Sequence, residues 1–447
     1  MGAGTATKRS LRALAEYDVL ALTALIWFLA KFLRYAFPPL FPAFRDALGV
    51  SSAVLGVAFT AMLTVYAAMQ FPSGALADRI GARRVIVAGA VVTGVGALVL
   101  AVPVPEPLAL GVIVVGMLLV GLGTGVHKTV AVRLLSRLYP GRTGRALGVL
   151  DTLGAFGGVA APAAVVAVTG ATVAGVAVPW LDWHALFLAG AVAAGGLALL
   201  FGRSAPDPGA ADRDAAGDGA DDGNTDDTAD TDDTADAADT ADTTDTHGDG
   251  VAADAGGLRR YAALFREPTF AVFVLATVCF SFAYNGAVAF LPLYLTDAAG
   301  LPGTTASLLY SGLFVVSLVQ LVTGDLSDRV GQLPVIAATL GLATAGLLAL
   351  LSVSGVVAVG AAVVAFGLGS HGFRPVRGAY LAAVIPEASA GGGLGVVRTL
   401  LMGAGAFAPA VVGGVADATG FGAAFGVLAA ALVASLGLTG VVAVVDR

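Results

Sequence analysis

The sequence predicts an all-α polytopic membrane protein, with twelve transmembrane helices in two pseudo-symmetric six-helix bundles. Three observations predict it. The 447 residues are 57% hydrophobic and only 12% charged, where a soluble domain carries roughly 25% charged residues. Such a chain cannot clothe itself in polar groups and needs lipid as part of its solvent. Next, charge-free runs at 85–102, 185–202, 335–352 and 421–445 reach the roughly 18–20 residues that cross a hydrocarbon core. A membrane β-barrel would show alternating ten-residue segments instead. Finally, the two halves repeat each other. "QFPSGALADRIG" (70–81) matches "QLVTGDLSDRVG" (320–331), and "GLGTGVHKTV" (121–130) matches "GLGSHGFRPV" (367–376). "LGVLDT" with Pro162 matches "LGVVRT" with Pro409, and "FPPLF" (37–41) matches "FLPLY" (290–294), all at nearly constant offset.

In chain order, the apolar windows fall at 15–40, 52–74, 84–102, 108–138, 145–170 and 184–202, then 268–296, 304–325, 333–352, 355–385, 391–415 and 421–445. Lys8, Arg9 and Arg12 precede the first window in the manner of a secretory signal. Lys31 and Arg34 interrupt its apolar run, so it reads as a retained first membrane helix. The predicted units are an N-terminal bundle (1–203), an acidic linker (204–257) and a C-terminal bundle (258–447). The linker holds 17 aspartates against one arginine and too little apolar bulk to fold. Outside it, arginine and lysine outnumber acids.

Basic residues set the orientation. Arg79, Arg83, Arg84, Arg137, Arg142 and Arg145 follow spans 2 and 4, and Arg203, Arg259, Arg260 and Arg266 flank the linker. Both termini and the linker are therefore expected in the cytoplasm, in a multi-pass protein of the cytoplasmic membrane. Trp180 and Trp183 fall in the outer interfacial belt. Three lysines against 21 arginines, with 27 of the 31 acids aspartate, suggest a high-salt cell interior. Cys279 is the single cysteine, which excludes a disulfide within the chain and a thiolate metal cluster. The chain shows no HExxH, phosphate-binding loop or serine elbow. No enzyme activity, cofactor, metal or nucleic-acid partner is expected, and the chain reads as a monomer.

Duplicated six-helix halves joined by a linker are a transporter architecture. The loop after span 2 sharpens this. Gly74, Leu76, Asp78, Arg79, Gly81, Arg83 and Arg84 form Gly-x-Leu-x-Asp-Arg-x-Gly-x-Arg-Arg. Gly324, Leu326, Asp328, Arg329 and Gly331 repeat it without the basic pair. On these residues, the twelve spans and the repeat, nearly the whole chain resembles the major facilitator superfamily. The resemblance implies alternating access, with spans 1, 4, 7 and 10 around a cavity and spans 2, 5, 8 and 11 along the seam between halves. It implies a gate in which Asp78 accepts hydrogen bonds from the start of span 11, "GGGLG", where the helix dipole favours an anion. Gly74 would allow a close helix approach, and Arg133 would brace Asp78.

Charges inside the spans mark the pathway, because an intramembrane charge belongs in a wet cavity or a pair. Lys31 and Arg34 lie one turn apart on span 1, with Arg34 placed nearer the outer interface. Lys128 lies twelve residues before Pro140, about 18 Å along a helix, and the repeat pairs it with Arg374. Arg377 and His371 share the face of Arg374. No acid on spans 1, 4, 7 or 10 matches these cations near mid-depth. A small organic or inorganic anion would neutralise them, and arginine suits carboxylate or phosphate. Tyr284 and Asn285 on span 7 could hydrogen-bond it. Asp151 and Arg398 occupy equivalent places in spans 5 and 11. Asp151 could pair with a cavity arginine or carry a coupling proton, with His371 as a second protonation candidate. The expected function is secondary active transport of a small anionic solute, coupled to protons or sodium. The alternative is a proton-coupled multidrug or organic-solute exporter, which would favour an apolar cavity with an embedded acid. Two exporter signatures are degraded: Leu118 stands where span 4 would carry arginine, and Pro162 comes four residues after Gly158. Gly154 and Gly158 read as close helix packing.

Overall fold

A computed structural model describes residues 3–169, 172–173, 176–177, 182–205, 264–385 and 390–445. The linker from residue 206, Trp180, Arg259, Arg260 and Pro386 lie outside the described residues. So do the side chains of Lys8, Arg9, Arg12 and the glycine-rich 391–395.

Twelve helices are long and apolar enough to cross a membrane. They are α1 (Ala3–Leu48), α2 (Ser52–Ile80), α3 (Ala82–Ala101), α4 (Glu106–Leu138), α5 (Thr143–Thr169) and α6 (Trp183–Ser204). The second half contains α7 (Pro268–Asp297), α8 (Gly303–Val330), α9 (Gln332–Leu350), α10 (Val356–Val384), α11 (Ala390–Thr419) and α12 (Phe421–Val445). A two-residue antiparallel ribbon, β1 (Thr172–Val173) and β2 (Val176–Ala177), lies between α5 and α6.

Local chemistry explains most boundaries. Gly81 and Gly331 end α2 and α8 with φ of 92° and 94°, a region that strains any residue with a Cβ. Ser51 caps α2, its hydroxyl accepting from the Val54 N–H, and Asp182 caps α6 through the His184 N–H. α1 runs past its predicted window to Leu48, carrying Pro38, Pro39 and Pro42. Its neighbours bury this stretch, so the missing N–H groups open nothing to lipid. α4 breaks at Val126, between Gly125 and His127. α8 tightens to a 3-10 turn at Val316–Leu318. Both irregularities fall mid-span, where discontinuous helices form solute sites in transporters.

α1 packs on α5, α6 and α4, and α3 on α6 and α4. In the second half, α7 packs on α12 and α11, and α9 on α10 and α12. The halves meet where α2 packs on α11, α5 on α8 and α1 on α7. At one end the seam is tight. Arg45 binds the Asp297 carboxylate through its two Nη nitrogens, and the Asp417 carboxylate accepts from the Ser52 and Ala53 N–H groups at 3.0 and 2.7 Å. A Cβ on Gly56 would sit 2.3 Å from the Pro409 carbonyl oxygen, and one on Gly413 equally close to that of Ser52. Towards the face where α1 starts and α12 ends, α2 and α11 stay joined through Gln70, which accepts from Arg398 at 2.7 Å, while the second pair of seam helices does not keep its contact. The inner part of α8 packs on α10 and α9 rather than on α5. Leu321, Val322 and Asp151 are exposed there.

Candidate functional site

Trp27, buried on α1, is the centre of a cluster of cations. Three cations stand 5.5–5.6 Å from its ring: Lys31 and Arg34 on its own helix and Lys128 on α4. The Arg34 guanidinium also lies 4.0 Å over the Tyr66 ring. Indole faces carry negative quadrupole charge and hold cations in dry surroundings. Lys31 and Arg34 follow Trp27 by four and seven residues, so one helix face presents all three. The sequence reading missed Trp27 and Tyr66, although that spacing was available as a signal.

From the other half, α10 brings Arg374 within electrostatic range of Lys31. Arg374 lies 5.4 Å from the Tyr284 ring and Arg377 lies 5.8 Å from Phe373. His371 packs edge-on to Tyr284 and beside Phe314, which in turn meets Tyr35 at 4.5 Å. The Tyr284, Tyr310, Ser311 and Ser370 hydroxyls are buried without a hydrogen bond among the described residues. The structure thus brings together Lys31, Arg34, Lys128, Tyr284, His371, Arg374 and Arg377.

Several expectations are corrected. Lys128 is not unmatched: its ammonium binds the Asp151 carboxylate. Asp151 therefore pairs with a lysine rather than an arginine, because α5 lies beside α4. Lys31, Arg34, Arg374 and Arg377 make no ion pair with an acid among the described residues. Arg34 is not near the outer interface. It is buried close to the middle of the Tyr17–Leu48 span, because α1 extends further than its window. Asn285 does not join these residues: its amide donates to the Ser281 carbonyl at 2.8 Å where α7 meets Gly405 of α11. Arg398 is a seam residue: it donates to Gln70 Oε1 at 2.7 Å.

At the signature loop, Arg133 Nη1 stands 2.8 Å from both Asp78 oxygens. The Asp78 contact with the start of α11 falls on residues 391–395, outside the described side chains. Arg83 donates to the Gly202 carbonyl, joining the loop to α6, while Arg79 and Arg84 have no partner among the described residues. Gly74 does not enforce a close approach, since a Cβ there would keep 3.8 Å from Thr129, and one on Gly324 would meet nothing within 4 Å. Gly81, with its positive φ, is the position that requires glycine. In the second copy Arg329 pairs within its own helix with Asp325 at 2.8 Å. The repeat offset that carries Lys128 to Arg374 carries Arg133 to Ala379, so Asp328 lacks the equivalent brace. Gly154 and Gly158 do pack closely, with added Cβ atoms 2.2 Å from Trp27 and 3.0 Å from Phe314, and Gly157 between them is as tight, at 2.3 Å from the Phe28 carbonyl oxygen.

The profile of the Major Facilitator Superfamily matches residues 23–319 and 275–446. The chain belongs to this superfamily. No curated protein matches the sequence. Among solved structures, a bacterial homologue of the human lysosomal transporter Spinster, inward-facing and unoccupied, is similar over 96% of each chain, with 15% identity and a TM-score of 0.70. A D-xylose–proton symporter is similar over 94% of this chain and 97% of its own, at 15% identity and TM-score 0.71. A peptide transporter in complex with sulfate is similar over 95% and 94%, at 17% identity and TM-score 0.67. At such identities these structures establish the shared fold. As a superfamily member, this integral membrane protein is a secondary transporter of small solutes rather than an enzyme.

Proposed function

We propose that this transporter carries a small organic or inorganic anion by alternating access, as a monomer in the cytoplasmic membrane with both termini inside. One observation carries the reading: Lys31 and Arg34 of one half meet Arg374 of the other among aromatic rings, with Arg377 one turn beyond Arg374, and the one acid within electrostatic range of Lys31, Asp151, is already bound to Lys128. Each cation inside a bilayer costs at least ~2.5 kcal/mol on insertion scales. A bound anion offsets that cost for several at once, and it does so best when both halves reach it. The basic loops after α2 and α4 support the orientation, so the face where α1 starts and α12 ends is the cytoplasmic one. Asp151 is the coupling candidate. Its carboxylate is exposed at that face, and its protonation would release Lys128 to the anion.

Uptake into proteoliposomes, over a panel of carboxylates, phosphate, sulfate and cationic dyes, tests the reading. Lys31→Gln and Arg374→Gln should each abolish anion transport while the protein still folds. Preference for the dyes would reject it.

A further inference from the structure

We infer that the cleft between the start of α1, the end of α4 and the start of α5 is a binding site for one anionic phospholipid of the leaflet on the face where the chain termini lie. The cleft encloses about 270 Å³, roughly twenty times the space that a single water requires. It is lined by Tyr17, Leu20, Tyr139, Arg142, Arg145 and Val149, among others. Tyr17 and Tyr139 stack at 6.3 Å with their planes 9° apart, and Arg142 donates to the Tyr17 hydroxyl at 3.0 Å. This contact turns one guanidinium into the cleft mouth. Arg145, one turn further along, has no hydrogen bond or ion pair among the described residues, and the nearby Asp18 pairs with neither arginine. Two basic groups thus frame one opening without a counter-ion among the described residues, at the end of the spans where headgroups lie.

The cleft is separate from the proposed solute site. At 100° per residue, Val149 points roughly 160° and Arg145 roughly 120° away from Asp151 on the same helix. Asp151 faces Lys128 and the seam, so Arg145 and Val149 face lipid. The apolar lining continues into the bilayer: Leu25 lies one turn beyond the lining residue Ala21 and is 40% exposed. A headgroup phosphate between Arg142 and Arg145, with its chain along Leu20 and Val149, satisfies charge and hydrophobicity together. A soluble phosphate would leave that apolar wall uncovered. Basic clefts between membrane helices recognise anionic headgroups in this way.

Native mass spectrometry of the detergent-solubilised protein, titrated separately with phosphatidylglycerol and phosphatidylcholine, tests the site. Phosphatidylglycerol should bind as one tight adduct that phosphatidylcholine does not match. Each basic residue beside an anionic lipid contributes about fivefold, so Arg142→Gln with Arg145→Gln should weaken the adduct roughly 25-fold. Val149→Trp fills the cleft with its charge intact and should weaken it too, whereas Arg203→Gln, at the end of α6, should not. Equal binding of the two lipids, retention of the adduct in both cleft variants, or its displacement by millimolar glycerol phosphate would each overturn the proposal.

Discussion

Replacing Asp417 by alanine should loosen the seam where α2 begins. The carboxylate holds two backbone N–H groups of the opposite half, at 3.0 and 2.7 Å, and these are first-turn donors with no partner in their own helix. A hydrogen bond to a charged group contributes about 1.5–3 kcal/mol. Asp417 is exposed, and water competes for it, so about 2 kcal/mol for the pair is the reasonable figure. That energy corresponds to roughly 30-fold in the ratio of closed to open seam. Arg45→Ala removes the second tie, to Asp297, and should act in the same direction. Spin labels at Ala47→Cys and Ala423→Cys, in a Cys279→Ala background, report the distance across this end by pulsed electron resonance. The parent should show one short distance, and the Asp417→Ala, Arg45→Ala double variant a second, longer population. An unchanged distance distribution in the double variant would refute the assignment of these residues as the tie.

Three further outcomes follow from the same geometry. Gly157→Ala drives a Cβ to 2.3 Å from the Phe28 carbonyl oxygen and should cost about 1–3 kcal/mol through overpacking. Gly148→Ala on the same helix meets no atom within 4 Å and should gain up to ~1 kcal/mol from helix propensity. Thermal unfolding in detergent should therefore shift in opposite directions for the two, and a shift of like sign would contradict the packing. For Asp78 and Arg133, both about half exposed, a double-mutant cycle on the same unfolding assay should give a coupling below about 1 kcal/mol. A larger value would mean that the pair is desolvated. Asp151→Asn should leave anion counterflow intact while abolishing uptake driven by a proton gradient, and gradient-driven uptake equal to that of the parent would remove Asp151 from the coupling step.

Much of the candidate site is legible in the sequence because charge in an apolar span is conspicuous. Lys31, Arg34, Lys128, Arg374 and Arg377 stand out on cost alone, and the repeat by itself pairs Lys128 with Arg374. What was missed carries no such cost. Trp27 is an ordinary residue in an apolar run until three cations converge on its ring. Asp417 looks like a polar residue near a helix end until α11 lies against the start of α2. Asn285 and Gly74 were over-read for the opposite reason: a residue type suited to a role does not say which neighbour it will meet.

The sequence by itself determined that the chain lives in a membrane, that it crosses twelve times, and that its halves are duplicates. It also determined the superfamily, through the signature loop and its second copy. These properties follow from composition, run length and local spacing, which depend only on neighbours along the chain. Tertiary structure alone decided that Asp151 answers Lys128, that Arg133 answers Asp78, and that Asp417 of one half ties the start of α2 in the other. Each of those depends on residues from 23 to 365 positions apart. Helix rotation and the tilt of one bundle on the other set such distances, and no local pattern encodes either.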